Sequence, residues 1–256
     1  MTDLDTGVPH SARVWNYWLG GTDNFPADRA VGDEFAKLYP DIVVVARSSR
    51  AFLKRAVTYL AADEGVRQFL DIGTGIPSAE HTHQVAHAVA PTAQVVYVDN
   101  DPLVLAHAHS VLSGEAVYVD ADLRDPDAVL ASAGLDLSRP VGLILMNILG
   151  HIPDLNEAAA ITQTLMAALP SGSYLITADG TNVLDGPAFT EAINVWNANA
   201  PLSYHLRHPD DLSRFLTGLE LLEPGLVPCS RWRPSPNATP ADLRETDEYA
   251  AVARKP

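Results

Sequence analysis

Three stretches of this sequence place reactive or nucleotide-binding residue types where short apolar runs end. In "FLDIGTGIPSAEH" a run ends at Asp71 and is followed by Gly73, Thr74 and Gly75. "VVYVDNDP" ends at Asp99 and Asn100, and "VYVDADLRDP" carries Asp122 and Leu123. A glycine-rich turn after a strand lets a nucleotide approach the backbone closely, and an acid ending the next strand can accept both hydroxyls of a ribose. At the third position Asp122 can accept from an adenine amino group while Leu123 packs on the ring. The full dinucleotide fingerprint would need a third glycine where this chain has Ser78. Each acid also has a plainer role, because Asp99, Asp101, Asp122 and Asp125 stand where helix caps would fall.

The elements that must hold these residues can be read from hydrophobic periodicity. From about residue 66, short β-branched runs alternate with Ala-rich segments of helical period, the signature of βαβ units around a parallel sheet. The strands are "VRQFLD", "AQVVYVD", "EAVYVD", "VGLILMN" and "SYLITA". Helices open near Ser78, Pro102, Asp125 and Asn156, and "LPSGS" turns into the fifth strand. "GPAFTEAINVWNANA" and "HPDDLSRFL" read as helical, and "LELLEPGLVPCSRWRP" with "EYAAVARKP" as a terminal antiparallel pair. Upstream, "DIVVVARSSRAFLKRAVTYLAADEG" reads as one long helix or two short ones. The organisation expected is one domain: a helical cap over residues 1–65 and a Rossmann-like core over 66–256.

Composition narrows the partners. With 32 acidic and 17 basic side chains the formal charge is −15, which repels phosphate backbones and argues against nucleic acid. Arg47, Arg50, Lys54 and Arg55 form a local basic cluster, read as a solvated helix face. The longest apolar stretches, such as "VGLILMNIL", fall far short of the ~20 residues a membrane helix needs. The single Cys229 permits no disulfide within the chain, and the opening residues contain no apolar run resembling a signal peptide. A cytoplasmic protein is expected; the sequence does not fix its oligomeric state.

Two further segments invite chemistry. In "EHTHQVAH", His83 and His87 stand one helical turn apart with His81 nearby, but the H-E-x-x-H order is missing and no third ligand can be named, so no metal is expected. His107 and His109 in "LAHAHS" are read the same way. In "MNILGHIPD", Asn147 ends a strand and is expected to line the cofactor, and His151, with an ordinary pKa near 6.5, suits a general base.

The D-x-G-x-G turn resembles the first motif of class I S-adenosylmethionine methyltransferases. More particularly, "ARVWNYWLGGTDNFPADR", "RQFLDIGTGIP", "VVYVDNDPLVLAHA", "ADLRDP", "SYLIT", "PGLVP" and "VARKP" make the whole chain similar to the actinobacterial S-adenosyl methyltransferase family. The resemblance implies a seven-stranded, mostly parallel α/β sheet with a C-terminal antiparallel hairpin and an N-terminal helical cap. It implies S-adenosyl-L-methionine as cofactor and a small-molecule methyl acceptor. It also explains "WNYWLGGTDNF". Trp15, Trp18 and Leu19 share a helix face that pins the cap, Gly20 and Gly21 reverse the chain, and Tyr17, Gly21 and Asn24 close over the cofactor. The family's histidine falls one residue earlier, at Gly150, and a second is replaced by Asp179. Two other readings remain: a nicotinamide-dependent oxidoreductase, and a sensor that binds S-adenosylmethionine without turnover.

Overall fold

Parallel strands carry the functional edge. The computed structural model describes residues 6–76, 80–101, 104 and 116–256. The helix starts expected near Ser78 and Pro102, and His107 and His109, lie outside the described residues. Strands β1 (Gln68–Ile72), β2 (Gln94–Asp99), β3 (Val117–Asp120), β4 (Gly142–Met146) and β5 (Tyr174–Gly180) are mutually parallel in the order β3-β2-β1-β4-β5. Connections leave β1 and β4 in opposite directions along the sheet, so a crevice opens at their carboxyl ends. The loops after Ile72, Asp99, Asp120, Met146 and Gly180 share that edge.

The antiparallel end differs from expectation in one respect. Among the described residues the sheet has eight strands, because the first arm of the expected hairpin is broken into β6 (Glu220–Leu221) and β7 (Val227–Pro228). The cause is "LEPG": Pro224 has no N–H for a ladder, and Gly225 N–H donates to Leu222 C=O at 2.8 Å, closing a turn between the pieces. Both pieces pair with β8 (Glu248–Arg254), which runs antiparallel along β5 with Gly180 opposite Glu248.

Successive strand residues face opposite layers, as the two-residue period requires. Leu70, Val96, Leu143 and Leu175 meet the layer containing the helix Leu155–Ala168. Phe69, Tyr97, Ile144 and Ile176 meet the long helix α3 (Ile42–Ala62) through Phe52 and Leu60. The segment that admitted one helix or two is therefore a single helix of 21 residues. No helix among the described residues is long and apolar enough to cross a membrane.

Ahead of α3 stand α1 (Ser11–Trp18) and α2 (Pro26–Leu38). Gly20 N–H donates to Tyr17 C=O and Gly21 N–H to Asn16 C=O, each at 2.9 Å, closing α1 with paired terminal bonds and reversing the chain. A Cβ on Gly21 would overlap the Asn16 amide, so that reversal packs only with glycine. Val14, Trp18 and Phe35 then form a separate apolar cluster with Phe189, Ile193 and Trp196 of the helix Gly186–Asn199.

A buried charge pair fixes the two cap helices to each other. Arg13 Nε donates to Asp28 at 2.9–3.0 Å, and the same carboxylate accepts from the backbone N–H groups of His10 and Phe25 at 2.9 and 2.8 Å. Both side chains are essentially inaccessible. Removing one member of such a pair leaves the other charge buried, so Arg13→Ala should cost about 3–5 kcal/mol in denaturant unfolding.

Candidate functional site

At the crevice, the turn after β1 adopts a backbone that favours glycine at two places. Gly73 has φ +74° and Gly75 has φ +63°. Gly73 N–H donates to Val98 C=O at 2.8 Å, and a Cβ there would lie 2.5 Å from the Ile148 side chain. Gly75 N–H donates to Asp99 Oδ2 at 3.1 Å. The turn is thereby tied to the end of β2, leaving a cleft of about 560 Å³ in front of it.

The cleft is lined by Asp71, Gly73, Thr74, Gly75, Asp99, Asn100, Asn147 and His151, all named from sequence. Asp71 accepts from Thr82 Oγ1 at 2.6 Å, and burial pushes its carboxyl up to about 6, with Thr82 and Arg50 opposing the rise. Asp99 also accepts from Asp101 N–H at 3.0 Å, and burial raises its pKa too. Thr74 Oγ1 donates to Gly75 C=O at 3.2 Å. Beyond Asp99 the cleft continues into an apolar slot of about 100 Å³ between Ile72, Val98, Leu123, Ile148 and Ile152. Asp122 stands at its rim, held by Arg124 and by Asn100 Nδ2 at 3.2 Å; the Arg124 guanidinium lowers its pKa.

The expected closing residues Tyr17, Gly21 and Asn24 do not line this cleft. Tyr17 donates its hydroxyl to Asp33 of α2 at 2.7 Å on the outer side of the cap. Asn24 donates to Asn16 Oδ1 and Gly21 C=O at 3.0 and 2.9 Å and accepts from Arg29, so it and Gly21 build the reversal itself. The face of α1 that meets the cleft carries Ser11, Ala12, Trp15, Asn16 and Leu19. Trp15, expected only to pin the cap, is a cleft wall. His10, which caps α1, reaches across the opening to pair with Asp101 after β2.

Sequence reasoning also missed Arg50. It lines the cleft from α3, and its guanidinium makes no hydrogen bond or ion pair to a described residue, although Asp71 and Glu80 lie close enough to act on it electrostatically. Two of its neighbours in the basic cluster have other partners: Lys54 pairs with Glu80, and Arg55 donates to the Trp232 and Cys229 carbonyls. The signal was periodic: Ser49, Arg50 and Leu53 of α3 all line the cleft, with Leu53 four residues after Ser49.

At the other end, Asn147 is a non-glycine residue at φ +54°. Its Nδ2 donates to Glu248 Oε1 at 2.7 Å and to Ser49 Oγ at 3.2 Å, and its N–H to Ala178 C=O at 2.8 Å. Tyr204 Oη lies 3.3 Å from Asn147 Oδ1, donates to Asp179, and accepts from Gly180 N–H at 3.0 Å. Burial pushes the carboxyl of Asp179 up to about 6 and that of Glu248 up to about 7. His151 Nδ1 lies 2.7 Å from the Ser203 carbonyl. A carbonyl only accepts, so Nδ1 carries the proton and Nε2 keeps its lone pair. Burial lowers the pKa of this imidazole. Arg207 braces the turn that carries it, donating to Leu149 C=O at 2.7 Å and to Ile152 C=O.

A second, smaller cavity of about 90 Å³ meets the cleft at Ser11, Trp15, Asn147 and His151. Its walls are the aromatic cluster of the cap and the helix Gly186–Asn199. The histidines of "EHTHQVAH" have other partners: His83 Nδ1 meets Tyr97 Oη at 2.8 Å and His87 Nε2 meets Ala93 C=O at 2.8 Å. Among the described residues no group of three or more His, Cys, Asp or Glu could hold a metal ion.

Comparison with known proteins places this geometry. A family model described as S-adenosyl methyltransferase matches residues 1–256. A DUF574 family protein from Streptomyces avermitilis MA-4680 is 39% identical, with 98% of this chain and 99% of that one covered and a TM-score of 0.91. A putative methyltransferase from Thermobifida fusca YX is 34% identical, with 99% and 97% covered and a TM-score of 0.89. The N-methyltransferase NodS from Bradyrhizobium japonicum WM9, solved with S-adenosyl-L-homocysteine, shares the fold at 14% identity, with 89% and 97% covered and a TM-score of 0.52. No curated protein matches.

The buried acids at this edge set a pH dependence of stability. A carboxyl whose pKa is raised on folding keeps its proton while the unfolded chain loses it. For Glu248 the resulting stability is complete below its ordinary pKa of 4.5 and is lost as the pH rises toward about 7. Glu248→Gln mimics the protonated acid and should flatten the fall in denaturant midpoint between those values, by at most about 1.4 kcal/mol per pH unit.

Proposed function

The chain belongs to the S-adenosyl methyltransferase family, and from that premise we propose that it transfers the methyl group of S-adenosylmethionine to a small-molecule acceptor at the junction of the cleft and the aromatic cavity. The observation that carries this reading is the character of the cleft: an apolar slot at one end, carboxylates at the strand ends, and one cation without a hydrogen-bonded partner among the described residues. The donor needs each of these, since it presents an adenine, a ribose, an ammonium with a sulfonium, and one carboxylate.

In this reading Leu123 and Ile148 sandwich the adenine, with Asp122 and Asn100 at its rim. Asp99 accepts from the ribose hydroxyls, Gly73, Thr74 and Gly75 bring backbone close to the donor, and Arg50 takes its carboxylate. Asp71 supplies negative potential beneath the cationic end. S-adenosylmethionine supplies an electrophilic methyl on a sulfonium, so alignment and exclusion of water can account for much of the acceleration. Trp15 and His10 exclude water from above, with residues 1–65 acting as lid to the core of 66–256. Asn147 orients the acceptor, and His151 Nε2 receives its proton. A cytoplasmic setting agrees with the buried, unpaired Cys229.

Calorimetry with S-adenosylmethionine, S-adenosylhomocysteine and NAD tests the donor assignment; binding of NAD alone would overturn it. Asp99→Ala should weaken donor binding by about 1–3 kcal/mol. His151→Gln should lower kcat by roughly 10²–10⁴-fold while leaving donor affinity unchanged. Because burial holds the His151 pKa below 6.5, the base form prevails at neutrality, and the rate should fall only on the acid side of that value. Hydrogen exchange across residues 10–19 should slow when donor binds, since α1 forms the roof.

A further inference from the structure

We propose that the aromatic cavity between the cap and the ends of β4 and β5 is the methyl-acceptor site and that it takes a neutral, single-ring phenol. The proposal rests on the methyltransferase reading above and names the substrate class of that same site.

Size limits the guest to one ring. About 90 Å³ holds roughly six to nine water-sized groups, the bulk of one substituted ring. The walls favour an aromatic one. Trp18 lies 5.1 Å from Phe35 at a 55° tilt, and Phe35 lies 6.2 Å from Phe189 edge to face. Trp15 and Trp196 add two more rings, so a planar aromatic guest finds edges and faces on several sides.

Charge selects a neutral guest. None of the residues lining the cavity is Lys, Arg, Asp or Glu, whereas the adjoining cleft has Arg50, Asp71, Asp99 and Asp101. Two carboxylates stand behind lining residues rather than in the wall: Asp179 Oδ1 accepts from the Tyr204 hydroxyl and from Gly150 N–H at 3.2 Å, and Glu248 Oε1 accepts from Asn147 Nδ2 at 2.7 Å. An ammonium or carboxylate on the guest would enter without a counter-ion, at a desolvation cost a neutral ring avoids.

Polar groups gather at one end only, where Asn147 and His151 border both cavities and the His151 ring stands edge to face with Tyr204 at 5.1 Å. A phenol with its ring among the aromatics turns its hydroxyl to this end. His151 Nε2 takes the phenolic proton, the oxygen forms a bond to the methyl carbon, and the carbon–sulfur bond breaks with its electron pair left on sulfur. The positive charge passes from the sulfonium to the imidazolium, so the net charge of the site is unchanged. A neutral aryl amine could be methylated before losing a proton and would have no need of this base.

The test titrates the full chain, saturated with S-adenosylhomocysteine, with 4-methylphenol, 4-hydroxybenzoate and tyramine, followed by calorimetry and tryptophan fluorescence. Trp15, Trp18 and Trp196 line the cavity, so occupancy should change the emission. The neutral phenol should bind at least roughly tenfold more tightly than either charged analogue, a difference of about 1.4 kcal/mol. With S-adenosylmethionine in place of the product it should yield 4-methylanisole. Ile193→Trp, or Val45→Phe should the first fail to fold, fills the cavity and should abolish phenol binding while S-adenosylhomocysteine still binds. Equal affinity for the charged analogues, no binding of 4-methylphenol, competition between it and S-adenosylhomocysteine, or indifference to both filling variants would each overturn the proposal. Failure of S-adenosylhomocysteine itself to bind would instead refute the donor reading.

Discussion

The site depends on one amide. Asn147 ends β4 in a left-handed conformation that an ordinary side chain adopts only at a cost, and the fold holds it there by occupying both ends of its side chain. Glu248 from the antiparallel strand and Ser49 from the long helix accept from its nitrogen, while Tyr204 approaches its oxygen. Three regions distant in sequence thereby converge on a residue shared by the two cavities. The same contact helps an acid to be tolerated at Glu248, buried at the start of β8: Oε1 accepts from the Asn147 amide, and burial raises the pKa of the group toward neutrality.

Around this point the molecule divides its polarity sharply. On one side of Asn147 the cleft concentrates formal charges at strand ends, where parallel strands and a glycine turn expose backbone and carboxylates together. On the other, rings from the cap and from the helix Gly186–Asn199 exclude formal charge. A reaction that begins with a cationic donor and a neutral acceptor has its two reactants sorted by the environments they enter. The overall −15 charge does not describe the site, since only a few of those acids border the cleft.

The strands and the glycine turn were legible because alternation and strand-end acids are local signals. β2, β3 and β4 fall within their expected runs, β1 and β5 overlap theirs but continue to Ile72 and Gly180, and Asp71, Asp99 and Leu123 lie at the carboxyl edge of the sheet. The cap was less legible. Helical spacing showed that Trp15 and Trp18 share a face, but it could not show which part of that face meets the cleft. Tyr17 and Asn24 look available for ligand in the sequence, yet they are engaged within the cap by Asp33, Asn16 and Arg29. Arg50 was hidden by neighbouring cations, and Tyr204 lies in irregular backbone, where period carries no information. The eighth strand followed from a proline whose effect is to divide a strand, not to end the sheet.

The Arg13–Asp28 pair has a mechanical consequence. The roof of the cleft is α1, but Asp28 binds α1, its preceding turn and the start of α2 in one buried knot. α1 cannot swing alone without exposing an unpaired charge to an apolar interior. Under the lid role proposed for the cap, opening would therefore displace both helices as one block and part the half-buried His10–Asp101 contact at the mouth. That block also forms part of the wall of the aromatic cavity through Val14, Trp18 and Phe35, so the same movement would open both compartments and couple exchange of the proposed donor to exposure of the proposed acceptor.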